Sequence, residues 1–445
     1  MSRTLVQRGL SAHAAIGLLA STLLYIVCLT GSVTVFYEEW QRIEQPDAPE
    51  MARIAPEAVQ AGIAHVLAAE KGRKATGHLY VHLPTDALPR TTVTTDHQAV
   101  HLDERGDVAG RELNGWSEFL LNLHYTLNIP GIVGLTLVGG LGVMMIALSL
   151  TGVIAHPRIF RDAFRLRARD RGGIGLADWH NRLGVWTLPF ALAVALTGAM
   201  IGLATVNGYG LARSFYKGDL EAAYAPIFGA EGRPDPKAAP LADVATALRV
   251  MAGRFPDARP SYVILHEPGT AGQQVQILAL HQRRLIYGEN YMFDRAGRYR
   301  GHAGLSDGAA GQQVAASAYN LHFGNYGGLA VKIAYALLGT ALTVVIATGT
   351  SIWLGKRERR GYRQPRLRQG WNAIVWGTGV ALALTLLARR CIGNEAPYMA
   401  IFWAALALML AVSVALPERY RVRRALQIAL AACLTALFPA MLLPG

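Results

Sequence analysis

The sequence predicts a mainly α-helical membrane protein, with seven transmembrane helices and two small α+β modules outside the membrane. Three observations carry this prediction. The chain has 445 residues, 52% of them apolar and 16% charged. Seven stretches are long and apolar enough to cross ~30 Å of hydrocarbon as helix, over about 10–36, 130–155, 183–206, 333–354, 370–388, 398–416 and 425–443. Finally, a short set of motifs recurs in the same order in two halves of the chain, so the first four spans form a duplicated two-helix unit and the last three stand apart.

The first span (1–36) carries His13 and Gly17 and ends in Leu29-Thr30-Gly31. It is too long for a cleaved leader, and no convincing small-x-small cleavage site follows it. A polar region at 37–115 opens with a helical segment from Pro56 to Lys71. Alternating stretches follow, His78 to His82, Arg90 to Thr95 and Ala99 to Leu102, with a turn at Arg105-Gly106-Asp107. A helix followed by short alternating strands reads as an α+β module. The segment 116–156 then holds an interface helix with Asn122-Leu123-His124-Tyr125 and the second span, which ends in Thr151-Gly152.

After a basic loop at 157–182 the order repeats. The third span (183–206) begins with His180 and Gly184 just at its mouth and reaches Leu196-Thr197-Gly198. A second module (207–312) has a helix over Leu241–Phe255 and strands at 261–265, 274–279 and 284–293, with a turn at Asp294-Arg295-Ala296-Gly297. Segment 313–355 repeats the interface helix, with Asn320-Leu321-His322-Phe323, and the fourth span, ending in Thr348-Gly349. Because each half contributes two spans, the duplication is parallel rather than inverted. A basic loop at 356–369 leads to the three C-terminal helices (370–445), which carry no histidine.

The net charge of +13 does not point to nucleic acid, because the basic residues sit beside the spans. Seven arginines lie from Arg158 to Arg182, seven basic residues from Lys356 to Arg368, and four arginines from Arg419 to Arg424. The positive-inside rule puts these clusters and the N-terminus in the cytoplasm, and both modules outside. Cys28, Cys391 and Cys433 form no Cys-x-x-Cys motif, which excludes a thiolate metal centre or a disulfide framework.

In this topology each membrane face receives one histidine from each half: His13 and His180 inside, His124 and His322 outside. A single interfacial histidine is more often a solvated polar residue than a ligand. Four at repeat-equivalent positions, two per face, reverse that expectation. Imidazole is the commonest metal ligand and a common haem-iron ligand, and helix bundles place such ligands on facing helices. Gly17 and Gly184 each follow their histidine by four residues and so share its helix face, where they clear space for a flat macrocycle. The expectation is two non-covalent b-type haems, on His13 with His180 and on His124 with His322, since no Cys-x-x-Cys-His attachment motif exists. Seventeen residues separate His13 from Thr30 and His180 from Thr197, a helical rise of about 25 Å, so the two haems sit at opposite faces of one membrane.

Other histidines are read as structural. His156 lies at the interface, His78 with His82 and His97 with His101 lie on strand-like sequence where that spacing cannot chelate, and His302 occupies a surface turn. The Thr-Gly pairs are read as helix-packing positions. Trp116, Trp179, Tyr125 and Phe323 adjoin the candidate ligands, as aromatic residues at interfaces do.

At these motifs residues 8–360 resemble the PepSY-associated transmembrane family of iron-regulated inner-membrane proteins, among them siderophore reductases of the FoxB type. The resemblance implies PepSY-like periplasmic modules, haem at His13, His124, His180 and His322, and electron delivery to a ferric siderophore in iron acquisition. The chain departs from the family pattern at Ala14 and Tyr125, where an arginine often follows the histidine, and this leaves Arg182 as the propionate partner. No Gly-x-Gly-x-x-Gly follows a strand, so the electron donor is a separate flavoprotein or a quinol. Two other classes remain as alternatives: a siderophore or metal transporter, against which the spans show no carboxylates or broken helices, and a non-catalytic sensor or assembly protein.

Overall fold

The computed structural model describes residues 3–162, 174–228, 234–281, 285–286, 288–417 and 420–442. Most of the basic loop, at 163–173, and Arg419 lie outside them. In chain order, α1 (Arg3–Thr34) and α2 (Tyr37–Glu44) precede α3 (Pro56–Ala69) and four strands, β1 (His78–His82), β2 (Thr91–Thr94), β3 (Ala99–Leu102) and β4 (Val108–Arg111). Then come α4 (Gly115–Thr126), α5 (Gly131–Ala155), α6 (Ile159–Asp162), α7 (Ile174–Trp186) and α8 (Leu188–Gly202). The second passage holds α9 (Ala204–Phe215), α10 (Leu220–Phe228), α11 (Val244–Arg254), β5 (Ala258–His266), β6 (Gln274–His281), β7 (Glu289–Phe293), β8 (Tyr299–His302) and α12 (Ala310–Phe323). Four long helices close the chain: α13 (Gly328–Arg359), α14 (Pro365–Cys391), α15 (Tyr398–Ala415) and α16 (Val422–Leu442).

These elements form two compact units. A helical unit comprises Met1–Tyr37, Asn114–Leu203 and Leu329–Gly445, and a sheet unit comprises Glu38–Leu113 and Ala204–Gly328.

In the helical unit, five described helices are long and apolar enough to cross a membrane: α1, α5, α13, α14 and α15. A sixth span exists if α7 and α8 are taken together, although they meet at 63°. Against the seven spans predicted, the described residues thus hold five or six. The third is broken because Pro189, at the start of α8, lacks an N–H and its ring would clash with the Val185 carbonyl of a straight helix. Thr187 bridges the break, its N–H and hydroxyl both donating to the Leu183 carbonyl at 2.9 and 2.7 Å. The seventh, realised as the 21-residue α16, is not among the qualifying helices.

Small residues set the closest helix contact. A Cβ on Gly139 of α5 would come within 2.8 Å of the Gly202 carbonyl carbon at the end of α8, and one on Gly142 within 2.9 Å of the Ala195 carbonyl oxygen. Lipid tails supply no hydrophobic drive between helices, so such backbone approach is what holds a pair together. The helices α14 and α15 and the loop between them brace two of the histidine-bearing ones. Tyr25 of α1 donates to the Val375 carbonyl (2.7 Å), the Trp116 indole of α4 to Thr385 Oγ1 (3.0 Å), and the Gly115 N–H to Asn394 Oδ1 (2.8 Å). The Phe119 ring packs 5.9 Å from Phe402.

In the sheet unit the two predicted modules are halves of one eight-stranded antiparallel sheet, ordered β4-β3-β2-β1-β5-β6-β7-β8. They join where β1 pairs with β5, Tyr80 opposite Ile264. Strand alternation decides the faces: Leu79 and Val81 are buried, whereas His78 and Tyr80 on the opposite face are exposed. Val59, Ile63 and Val66 of α3 and Val244, Leu248 and Met251 of α11 share one core with those inward residues and with Val263, Leu265, Ile277 and Phe293. Gln60 ties the halves together, its amide donating to the Ala242 carbonyl and its oxygen accepting from the Val244 N–H at the start of α11. Both hairpin turns need glycine for φ above zero, Gly106 at 85° and Gly297 at 70°.

Candidate functional site

His13 on α1 and His180 on α7 line one cavity inside the helical unit, with a volume of about 440 Å³. Their ring centres are 6.3 Å apart and the planes are inclined at 76°. Each ring is held from behind by another helix, in the same way. His13 Nδ1 lies 3.0 Å from the Leu148 carbonyl and 3.3 Å from Thr151 Oγ1, both on α5. His180 Nδ1 lies 3.0 Å from the Val345 carbonyl and 3.1 Å from Thr348 Oγ1, both on α13. A carbonyl oxygen only accepts, so Nδ1 carries the proton and Nε2 keeps its lone pair. The threonines agree with this tautomer. Each spends its own hydroxyl proton on a carbonyl of the preceding turn, Thr151 on Ala147 (2.6 Å) and Thr348 on Val344 (2.8 Å), which leaves Oγ1 as an acceptor. An imidazole fixed through Nδ1–H with Nε2 bare is the form that binds a metal.

The glycines after these threonines complete the seats. A Cβ on Gly152 would stand 3.3 Å from His13 Cε1, and one on Gly349 3.2 Å from His180 Cε1. The Thr-Gly pairs are therefore seats for imidazoles, a role that reading them as plain packing positions missed. The signal was present in the sequence: each pair ends a span whose antiparallel neighbour opens with a histidine.

His124 follows the same rule. Its Nδ1 lies 2.9 Å from the Val27 carbonyl and 3.5 Å from Thr30 Oγ1, and a Cβ on Gly31 would meet its Cε1 at 2.6 Å. His322 lies on α12 of the sheet unit, its ring 5.5 Å from that of Phe323. The structure thus brings His13 and His180 together and places His124 and His322 in different units.

Gly17 and Gly184 both line the cavity, and a Cβ at Gly184 would meet nothing within 4 Å. Arg182 does not line it. Two residues advance a helix by about 200°, which turns Arg182 to the far side of α7 from His180. It is buried there, with Nε and Nη2 finding no partner among the described residues. His156, read from sequence as interfacial, does line the cavity, as do Trp353 and Lys356 of α13.

The sheet-unit histidines make local bonds. His82 Nδ1 donates to the Arg90 carbonyl (3.1 Å), and His97 Nε2 to that of Lys74 (2.8 Å). His101 bridges Thr92 Oγ1 (3.0 Å) and Gln45 Oε1 (3.1 Å). His302 joins Glu289 and Asp307 in a cluster whose ligand atoms lie within 4.8 Å of one another. The Glu289 carboxylate there already accepts from the N–H groups of Asn290, Gly304 and Ser306 and from the Ser306 hydroxyl. It is spent on fixing the loop that leads into α12.

With this geometry in place, comparison with known proteins is informative. Residues 10–356 match the family described as the PepSY-associated TM region. An uncharacterized protein of Pseudomonas aeruginosa is 31% identical over 355 residues, covering 72% of this chain and 85% of its own length. The match ends at Lys356, so α14, α15 and α16 lie beyond the shared region, as their lack of repeat motifs suggested.

Proposed function

We propose that this chain, which belongs to the PepSY-associated TM family, is a diheme b-type oxidoreductase of the bacterial inner membrane. In this reading it passes electrons from a cytoplasmic or membrane donor to a ferric-siderophore-like acceptor in the periplasm. One observation carries the reading. A metal–imidazole bond is about 2.0–2.1 Å and a ring nitrogen sits about 1.2 Å from its ring centre, so two imidazoles on opposite sides of one metal ion would have centres about 6.4–6.6 Å apart. The centres of His13 and His180 are 6.3 Å apart. The observed separation is thus close to that of two imidazoles sharing one metal ion.

The residues present fit the group. His13 and His180 would hold the iron through Nε2, and the carbonyls of Leu148 and Val345 fix their tautomer and raise their basicity. Gly17 and Gly184 leave open room beside them, and the apolar lining of Leu24, Met145, Leu342 and Ile346 excludes water. Haem bound there supplies one-electron transfer. His124, seated by Val27, Thr30 and Gly31, with His322 as the expected second ligand, would hold the outer haem in this proposal. The donor is a separate flavoprotein or a quinol.

A transporter remains the second reading, because α7 and α8 form the broken helix that the sequence did not reveal, and Thr187 and Leu188 at the break line the cavity. Broken helices mark substrate sites in transporters. Against it, no carboxylate lines this cavity among the described residues.

The deciding experiment is an optical spectrum of detergent-purified protein, oxidised and dithionite-reduced, with haem counted per chain. Two low-spin b-type haems per chain are expected, falling to one in His180→Ala. A haem-free protein made with ample haem supply would overturn the proposal and favour transport.

A further inference from the structure

The two halves of the chain line the His13–His180 cavity at equivalent positions, and near the end where α5 and α13 finish two of these positions carry basic residues. Counting from the seat threonines, His156 follows Thr151 by five, and Trp353 follows Thr348 by five. Ile159 follows Thr151 by eight, and Lys356 follows Thr348 by eight. All four line the cavity. At each of these two equivalent pairs one half places a basic side chain where the other has none, His156 from the first half and Lys356 from the second. Among the described residues, Lys356 is the one formally charged residue in the lining. Its exposed position at the end of α13 allows a snorkelling ammonium to reach the rim while its stem stays on apolar surface. Glu358, its closest acidic neighbour in sequence, is engaged with Arg363 and Arg368.

A haem has two carboxylates on one edge, and carboxylates at an apolar cavity need charged or hydrogen-bonding partners. We propose that Lys356 and His156 are those partners, one for each carboxylate, and that Arg182 is not. The inference rests on the haem reading of this cavity. It orients the carboxylate edge towards the ends of α5 and α13 and gives the broken repeat a purpose: the ligands come in equivalent pairs, whereas the rim is fitted to the one edge of the ring that is polar.

The test measures transfer of haem from the full-length protein to a haem-scavenging apoprotein, in Lys356→Gln, His156→Gln, the double variant, Lys356→Arg and Arg182→Gln. A hydrogen bond to a charged group contributes about 1.5–3 kcal/mol, so Lys356→Gln should release one of the two haems about tenfold faster or more. The low-spin spectrum should persist because both imidazoles remain. The double variant should be faster still, Lys356→Arg close to wild type, and Arg182→Gln unchanged. Wild-type release from the double variant, or faster release from Arg182→Gln alone, overturns the assignment while leaving the ligands standing. Absence of haem from the wild-type protein removes the haem reading and this inference with it.

Discussion

Gly31 offers the sharpest test of the histidine seats. Replacing it with alanine puts a Cβ 2.6 Å from His124 Cε1, with Nδ1 at 3.0 Å and Nε2 at 3.4 Å. A ring displaced by this contact would strain its bond to the Val27 carbonyl. Overpacking of this kind costs about 1–3 kcal/mol. A helical glycine replaced by alanine regains roughly 1 kcal/mol of propensity, so the two effects nearly cancel only where the clash is mild. They should cancel in Gly152→Ala and Gly349→Ala, whose new Cβ atoms stand 3.3 and 3.2 Å from His13 and His180 and need a shift of only a few tenths of an ångström. Gly355→Ala, with the Arg359 guanidinium at 3.6 Å, is the control. Melting temperature and haem per chain should be measured on all four detergent-purified variants. Gly31→Ala should melt lowest and lose one haem, while the other three stay close to wild type. Equal behaviour of Gly31→Ala and Gly355→Ala would refute the idea that this glycine exists to seat an imidazole.

Two further predictions follow from hydrogen bonds of the same structure. Thr348→Val removes one acceptor from His180 Nδ1–H, making the imidazole less basic and the oxidised iron less favoured, so the midpoint potential of one haem should rise in a redox titration; an unchanged or lowered potential argues against the seat tuning its ligand. In the sheet unit, burial pushes the His101 pKa down to about 4, with the charge of Arg90 and then His82 adding to the effect. The unfolded imidazole titrates near 6.5, so between these values the unfolded state binds more protons and the sheet unit loses stability as pH falls from 6.5 towards 4. His101→Gln should flatten that slope in thermal melts across this range, and an unaltered slope would place the acid sensitivity elsewhere.

Much of this arrangement is legible in one sequence because duplication leaves a signal that no single element carries. The equal steps from His13 to Thr30 and from His180 to Thr197 mark two equivalent segments, although α1 is continuous and its counterpart is broken between α7 and α8, and the repeated helix-plus-strand order marks the two halves of the sheet. What remained hidden depends on contacts between segments distant in the chain. Pro189 bends α8 away from α7, but its position near a helix start looks tolerable from sequence alone. The pairing of β1 with β5 joins segments about 180 residues apart, and short alternating runs specify faces without specifying neighbours. Arg182 was attractive for its nearness in sequence to His180, yet two residues along a helix put it on the wrong face. Lys356 and His156, distant in sequence, share the cavity with His180.

The seats also explain why the site needs both halves. Within the first half, α1 and α5 run antiparallel and exchange support: α5 seats the histidine near the start of α1, and α1 seats His124, which lies just ahead of α5. Each half can therefore orient an imidazole by itself, through bonds made while its own two helices pair. What it lacks is a second imidazole across the cavity, since His13 meets His180 from the other half. Orientation is thus local to a half, and pairing of ligands is a property of the duplication. A substitution in a seat should consequently loosen one ligand while the opposite ring keeps its tether. Separation of the halves should abolish the two-histidine geometry even with every seat intact. The three C-terminal helices fit this division, because α14 bonds to Tyr25 on α1 and Trp116 on α4, the two helices whose histidines belong to the first half. Among the described residues none of the three lines the cavity.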